Sequence, residues 1–292
     1  MSAYTYFPGC SLRGTAREYD LSVRAVFGAL GVSLNELDGW VCCGATSAHS
    51  TSRLLATSLA AANLAKAARQ GNNVVAACAS CYSRLLHGQH DLESDPALAA
   101  KVRATGVQYE GNVAVLHVLD LLLDDVGLKA IEERVQGKLK GLTVACYYGC
   151  LITRPRKLIQ KEDPEHPHRM DDVLRACGAT CVEWAFANEC CGGGLAMARP
   201  DVVAELSHRI LADASAAGAD LVAVACPMCQ TNLEMRQADI RRTHGVNHNL
   251  PVVYFTQLLG VALGLDQESL GLNRLLINPM PRIRERLSPG AG

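Results

Sequence analysis

Ten of the 13 cysteines in this chain form two sets that repeat one another. Cys42, Cys43, Cys78 and Cys81 are followed, each 148 residues later, by Cys190, Cys191, Cys226 and Cys229. Cys10 is followed by Cys150 at an offset of 140. The eight-residue difference falls between the first cysteine and the Cys-Cys pair, where the polar stretch 161–168, with Pro164 and Pro167, reads as a loop insertion. Flanking residues agree: Gly9-Cys10 matches Gly149-Cys150, and Cys42-Cys43-Gly44 matches Cys190-Cys191-Gly192. Five matched cysteines point to an internal duplication, and the period is too long for a solenoid.

Each half has the same order of patterns. Residues 4–7 and 142–147 read as strands ending at the first cysteine, and 17–30 and 170–177 have helical periodicity. Residues 32–37 and 180–184 are β-like, and the Cys-Cys-Gly segments read as loops. Amphipathic helices are expected at 52–69 and 200–217, the second opened by Pro200. Short apolar runs at 74–77 and 221–225 suit buried parallel strands, after which each Cys-x-x-Cys pair opens a new helix. This alternation predicts an α/β fold of two homologous lobes, each a small parallel-sheet unit with its cysteines at the carboxyl ends of strands. The expected division is 1–135 for the first lobe, 136–278 for the second and 279–292 for a flexible tail. Residues 127–141 are expected to carry the connection between lobes.

At 49% apolar and 20% charged residues, the 292-residue chain has the composition of a globular protein with a substantial core. A formal net charge of −1 and the lack of a basic run give no footprint for nucleic acid or an anionic membrane. The start has no charged segment followed by a long apolar one. The runs 113–123 and 251–265 are short of the roughly 20 residues a membrane span needs. A cytoplasmic protein without a transmembrane segment is expected, and in a reducing compartment such cysteines bind metal or do redox chemistry more often than they form disulfides.

Thiolates are soft ligands that select zinc, copper(I) or iron–sulfur units. A structural zinc and an ordinary cubane each take four ligands, whereas each half offers five. Adjacent cysteines such as Cys42-Cys43 reach different irons of one cluster more easily than a single ion. Gly44 and Gly192 are expected to clear space where the backbone approaches it. An iron–sulfur cluster in each half is the leading reading; zinc in one lobe, with a spare cysteine, is the alternative.

The pattern Cys10…Cys42-Cys43-Gly44…Cys78-x-x-Cys81, repeated from Cys150 to Cys229, resembles the duplicated cysteine-rich CCG domain. The strings Tyr6-Phe-Pro-Gly-Cys10-Ser-Leu, Glu18-Tyr-Asp-Leu, Cys42-Cys-Gly-Ala-Thr, Tyr147-Tyr-Gly-Cys150-Leu and Cys226-Pro-Met-Cys229-Gln narrow the resemblance to the B component of heterodisulfide reductase, over about residues 4–278. The resemblance implies two non-cubane four-iron clusters, ligated by Cys10, Cys42, Cys43, Cys78 and Cys81 and by Cys150, Cys190, Cys191, Cys226 and Cys229. It implies an oxidoreductase that reduces, or in reverse forms, a disulfide such as the coenzyme M–coenzyme B heterodisulfide. It further implies two partners, the iron–sulfur C component and the flavoprotein A component of such a complex. Related CCG proteins serve sulfur oxidation or transfer electrons for flavin-dependent hydroxy-acid oxidation, and these are the alternative functions.

The remaining candidates carry weaker signals. Cys146, Cys177 and Cys181 align with Tyr6, Leu30 and Leu34 of the first half, none of them a soft ligand, and so read as packing thiols. His49, whose counterpart is Met197, is a candidate proton donor on one side only. His117 sits in an apolar run and reads as structural. Gly192-Gly-Gly194 lacks the spacing and Lys-Ser/Thr of a phosphate loop and is expected to pack against the cluster.

Overall fold

The computed structural model describes residues 2–45, 47–135 and 138–287. The first half runs β1 (Ala3–Phe7), α1 (Gly9–Arg13), α2 (Arg17–Ala29), β2 (Ser33–Glu36), α3 (Ala48–Thr51), α4 (Arg53–Gln70), β3 (Val74–Ala76), α5 (Ala79–Ser94), α6 (Pro96–Ala104) and β4 (Val115–His117). Helix α7 (Val118–Asp120) continues into a π-helical segment, Leu121–Val126, and α8 (Leu128–Val135) follows. The second half runs β5 (Thr143–Tyr147), α9 (Arg169–Ala176), β6 (Thr180–Cys181), α10 (Pro200–Ala216), β7 (Leu221–Val224), α11 (Pro227–His244), β8 (Val252–Tyr254), α12 (Phe255–Ala262) and α13 (Met280–Leu287).

The strands form two four-stranded sheets of the same order, β2-β1-β3-β4 and β6-β5-β7-β8, with every pairing parallel. Strands β3 and β7 are buried along their whole length, which explains their unbroken apolar sequence. Local signals set the helix ends. Ser52 caps α4 by accepting from Leu55 N at 3.3 Å, and Gly71, at φ 74°, closes it in the left-handed region that a side chain resists. Pro96, Pro200 and Pro227 sit in the first turns of α6, α10 and α11, where a missing N–H is harmless.

The two sheets dock through their helices. Helix α2 of the first half packs on α12 of the second. Tyr19 stacks on Tyr254 with ring centroids 3.9 Å apart and planes 6° apart, and Ser22 Oγ lies 2.7 Å from Thr256 Oγ1. All four side chains are buried. The π-helical segment after α7 packs in turn on α9, where Arg169 bridges Asp120 at 3.2 Å and Asp124 at 2.9 Å. Each sheet thus lends the helix after its last strand to the other, and one hydrophobic core runs through both.

Three features depart from the sequence expectations. The fourth strands, β4 and β8, are three residues long and run directly into helices, so their apolar stretches carry no strand signal of their own. Strand β6 stops at Cys181; beyond it Val182 N bonds back to Val144 O at 3.0 Å and the Trp184 ring N–H to Cys146 O at 3.2 Å. The tail is corrected over Met280–Leu287, which is a helix and not a flexible segment. Met280 and Ile283 are buried, and Arg286 bonds the buried Asp220 at 2.8 Å, so an amphipathic face and a buried carboxylate hold it in place. The rest of the expected tail, 288–292, lies outside the described residues. Among the described residues, no helix is long and apolar enough to cross a membrane.

Truncating a buried aromatic at the α2–α12 contact removes both its transfer energy and its stacking partner. Tyr254→Ala is therefore expected to destabilise the protein by about 3 kcal/mol, measured as a shift in urea-induced unfolding.

Candidate metal centre

The ten repeat cysteines stand at the carboxyl ends of three strands in each sheet. Cys10 and Cys150 follow β1 and β5. The Cys42-Cys43 and Cys190-Cys191 pairs lie in the loops after β2 and β6. Cys78 and Cys226 cap α5 and α11, and Cys81 and Cys229 lie in the first turns of those helices. A helix N-terminus favours negative charge, which suits a thiolate or an anionic cluster. Cys10, Cys42 and Cys190 are exposed and Cys150 is half-buried, while the other six are buried. Each set is therefore open to solvent on its first-cysteine side and closed on its Cys-x-x-Cys side.

The sulfur contacts repeat between halves. Cys43 Sγ lies 3.4 Å from Cys81 Sγ, and Cys191 Sγ lies 3.6 Å from Cys229 Sγ. Gly44 N donates to Cys42 Sγ at 3.4 Å, and Gly192 N to Cys190 Sγ at 3.3 Å. The remaining thiols join through Cys10 with Cys42, Cys150 with Cys190, Cys78 with Cys81, and Cys226 with Cys229. Among the described residues, the one group with three ligand atoms mutually within 4.8 Å lies elsewhere in the chain. Each five-sulfur set is thus drawn out in linked contacts. A single tetrahedral zinc thiolate instead draws its sulfurs together at edges of about 3.8 Å. The donor type and this spread fit a multi-iron group better than a lone ion.

Gly44 and Gly192 bring backbone N–H to the Cys42 and Cys190 sulfurs, and they also make room for packing. A Cβ on Gly44 would meet Ala48 Cβ at 2.7 Å, and one on Gly192 would meet Leu206 Cδ1 at 3.0 Å. These glycines admit the neighbouring helices. Gly9 and Gly149 also let backbone approach sulfur: a Cβ there would lie 2.8 Å from Cys81 Sγ and 3.1 Å from Cys229 Sγ. Both also hold positive φ, 66° and 63°. The matched Gly-Cys dipeptides already contained this signal, but only the fold shows which atom it serves. A Cβ on Gly193 would lie 3.8 Å from Cys191 Sγ, whereas one on Gly194 would meet nothing within 4 Å.

The two sets meet. Cys78 and Cys226 lie near enough across the boundary between the sheets to shift one another's ionisation. Hydrogen bonds from Cys229 and Cys78 hold Cys226 well below the ordinary thiol range, while Cys78, donating to Cys226, is pushed up. Two buried neighbouring thiols do not both ionise readily. The surroundings of the sets differ, however. The Cys81 hydrogen bond brings Cys43 down to about 7, and the Arg84 guanidinium acts in the same direction. The matching position in the second half is Asn232, whose amide donates to Cys191 Sγ at 3.5 Å. This charge asymmetry escapes a search restricted to cysteines.

His49 lies exposed on α3, with its Nε2 3.4 Å from Ser50 Oγ. His117 is buried and caps α7, its Nε2 2.8 Å from Ala77 O, in keeping with a structural role. Cys177 is a core thiol that burial pushes up to about 12. Cys146 is buried in the core and Cys181 packs against it, with the two sulfurs 4.0 Å apart.

The family model of the CCG cysteine-rich domain matches residues 4–85 and 144–234. The chain is 29% identical over 277 residues to the 8-methylmenaquinol:fumarate reductase membrane anchor subunit of Wolinella succinogenes, covering 94% of this chain and 97% of that protein. It is 29% identical to a protein of Archaeoglobus profundus that is like the B component of heterodisulfide reductase, covering 98% of each. It is 27% identical to the B component of the ferredoxin/F(420)H(2)-dependent CoB-CoM heterodisulfide reductase of Methanosarcina acetivorans, covering 94% of this chain and 93% of that one. A hypothetical protein from Helicobacter pylori shares the fold, with a TM-score of 0.72 at 13% identity over 95% of this chain; the match spans 52% of that protein.

In metal-free protein, the Cys150 hydrogen bond holds the exposed Cys190 thiol down at about 6, so its thiolate fraction rises through pH 6. Cys190 is therefore expected to be alkylated ahead of Cys150 by iodoacetamide at pH 7, with a rate that falls off below pH 6, as read by peptide mass spectrometry. With two matched copies and both five-cysteine sets complete, the chain belongs to the CCG cysteine-rich domain family.

Proposed function

We propose that this chain is an iron–sulfur redox subunit of the heterodisulfide reductase B type. In this reading Cys10, Cys42, Cys43, Cys78 and Cys81 hold one four-iron, non-cubane cluster, and Cys150, Cys190, Cys191, Cys226 and Cys229 hold a second. The observation that carries the proposal is that two complete thiol sets stand at the carboxyl ends of corresponding strands in two sheets of the same order. When bound, such clusters supply two one-electron carriers side by side, which matches the two electrons needed to open a disulfide.

The chain's own residues divide the remaining work. Buried Cys78 and Cys226 exclude water from the boundary, while the exposed edge at Cys10, Cys42 and Cys190 gives a sulfur substrate access. Gly44 N and Gly192 N stabilise negative charge on Cys42 and Cys190. Arg84 favours the more negative state of the first site. No step is assigned to His49, whose ring contacts Ser50. The substrate would be a disulfide such as the coenzyme M–coenzyme B heterodisulfide, or a protein-bound sulfur group. The iron–sulfur C component and the flavoprotein A component of a heterodisulfide-reductase-like complex would be the electron-transfer partners, in the cytoplasm.

A second reading has its own support. The relative that is a fumarate reductase membrane anchor subunit favours the alternative of a non-catalytic electron-transfer subunit of a flavin-dependent oxidoreductase. Disulfide-dependent reoxidation of the reduced, reconstituted protein separates the two; no reoxidation by any disulfide would exclude the first.

Anaerobic reconstitution is expected to give about eight irons per chain. Cys43→Ala and Cys191→Ala are each expected to lose one cluster and all disulfide turnover, because groups acting as a unit are non-additive. Half-activity in either variant, with its remaining cluster intact, would refute the paired site. Arg84→Gln removes a positive charge beside one set only. In potentiometric titration it is expected to lower the potential of the first cluster and leave the second in place.

A further inference from the structure

The second lobe carries three ligand groups that the duplication does not explain. Cys146 Sγ on β5, Cys181 Sγ at the end of β6 and a carboxylate oxygen of Asp171 on α9 all lie within 4.8 Å of one another. The two sulfurs are 4.0 Å apart, close to the edge of about 3.8 Å expected in a tetrahedral zinc thiolate. Cys146 is buried and Cys181 half-buried.

The carboxylate is already held from outside. Tyr148 OH donates to Asp171 Oδ2 at 2.6 Å, and is itself fixed by Met170 N at 2.8 Å and Asp171 N at 3.1 Å. Such an outer hydrogen bond orients a carboxylate ligand and leaves its other oxygen for the ion. That oxygen now faces Arg175 at 3.5 Å, a partly exposed side chain with a second carboxylate, Asp172, to turn to at 3.6 Å. Cys146 and Asp171 line a cleft of about 430 Å³, whose far wall is built by Glu165, His166 and His168 of the lobe-specific insertion. The cleft offers room for a water as fourth ligand.

The first lobe shows what the same place holds in the other copy. Tyr6 stands where the second lobe has Cys146, and Leu34, paired with Tyr4 as Cys181 is paired with Val144, stands for Cys181. Matching the ends of α2 and α9 puts Arg24 in the place of Asp171. The Arg24 guanidinium lies over the Tyr6 ring, 4.8 Å from its centroid, and bonds Asp20 at 3.0 Å and Glu36 at 2.8 Å. The first lobe thus fills the place with a guanidinium and an aromatic ring, whereas the second has two thiols and a carboxylate there, with Arg175 3.5 Å from the carboxylate at the exposed edge.

We infer that Cys146, Cys181 and Asp171 form a zinc-type divalent-cation site in the second lobe, separate from the ten repeat cysteines. Thiolate sulfur and carboxylate oxygen together suit zinc, and three protein ligands with an open fourth position make a site able to take a water or a further ligand. Binding displaces the two thiol protons to solvent and changes no oxidation state.

The test uses the full chain after anaerobic cluster reconstitution, so that the repeat cysteines are occupied. It is equilibrated with zinc chloride, desalted and measured for zinc and iron by elemental analysis. One retained zinc per chain is expected, with a zinc-edge absorption spectrum showing two sulfur and two lighter neighbours at about 2.3 and 2.0 Å. The Cys146→Ser/Cys181→Ser variant is expected to lose that zinc with iron unchanged, and Asp171→Asn to weaken binding at least tenfold; Cys177→Ala keeps it. Should the double variant not fold, the wild-type spectrum decides alone. No retained zinc, zinc persisting in the folded double variant, or a four-sulfur shell marking zinc among the repeat cysteines would each overturn the inference. These outcomes are independent of whether the reconstituted protein turns over a disulfide.

Discussion

Two buried thiols from opposite halves of the chain, Cys78 and Cys226, come near enough at the boundary between two parallel sheets to shift one another's ionisation. Much of the structure follows from that contact. Each thiol sits at the carboxyl end of its sheet's third strand in sequence, at the mouth of a long helix. For both to arrive at one place, the sheets must turn those ends toward each other. The exchange of helices achieves this: α12 docks on α2 and the segment after α7 docks on α9. The stacked Tyr19 and Tyr254 rings and the Ser22–Thr256 hydrogen bond close this boundary with complementary side chains. Tyr19 OH also reaches Ala225 O, the residue before Cys226, at 3.4 Å, so the docking contact touches the cysteine-bearing strand end directly.

Duplication supplied two similar sites, and the differences between them are where separate properties have room to arise. Arg84 in one half and Asn232 in the other place a charge and a neutral donor beside corresponding thiols. His117 and Tyr254 occupy matching positions at the ends of β4 and β8; one caps the helix that follows and the other carries the docking stack. The place filled by Tyr6, Arg24 and Leu34 in the first lobe holds Cys146, Asp171 and Cys181 in the second, beside an insertion that only the second lobe has. Low dielectric in these buried settings makes single-residue differences count, since a charge there is poorly screened.

Much of the fold is legible in the sequence because its signals are local. Strands β1, β3, β5 and β7 are apolar runs ended by cysteine, and helices α4 and α10 begin at Ser52 and Pro200 as capping chemistry requires. The features that escape a sequence reading have physical causes as well. Strands β4 and β8 have three residues each and merge into helices, so no period distinguishes them. Helix α13 is held by Asp220, a partner far away in sequence, and its proline and charges resemble a tail until that partner is seen. Matching the two copies passes over Cys146 and Cys181, because their first-lobe counterparts cannot ligate; comparison between copies finds shared function and filters out what one copy gained alone.

The chain's sequence by itself determined the duplication, the α/β order of each half and the two five-cysteine sets, because spacing, capping and strand periodicity are properties of neighbours along the chain. Only the tertiary structure decided that the sets approach each other at Cys78 and Cys226, that Gly9 and Gly149 face sulfur, and that Asp171 joins Cys146 and Cys181. These relations depend on the docking of one sheet against another and of helices against strand ends. Such docking is set by the summed packing of many distant side chains, which no local pattern records.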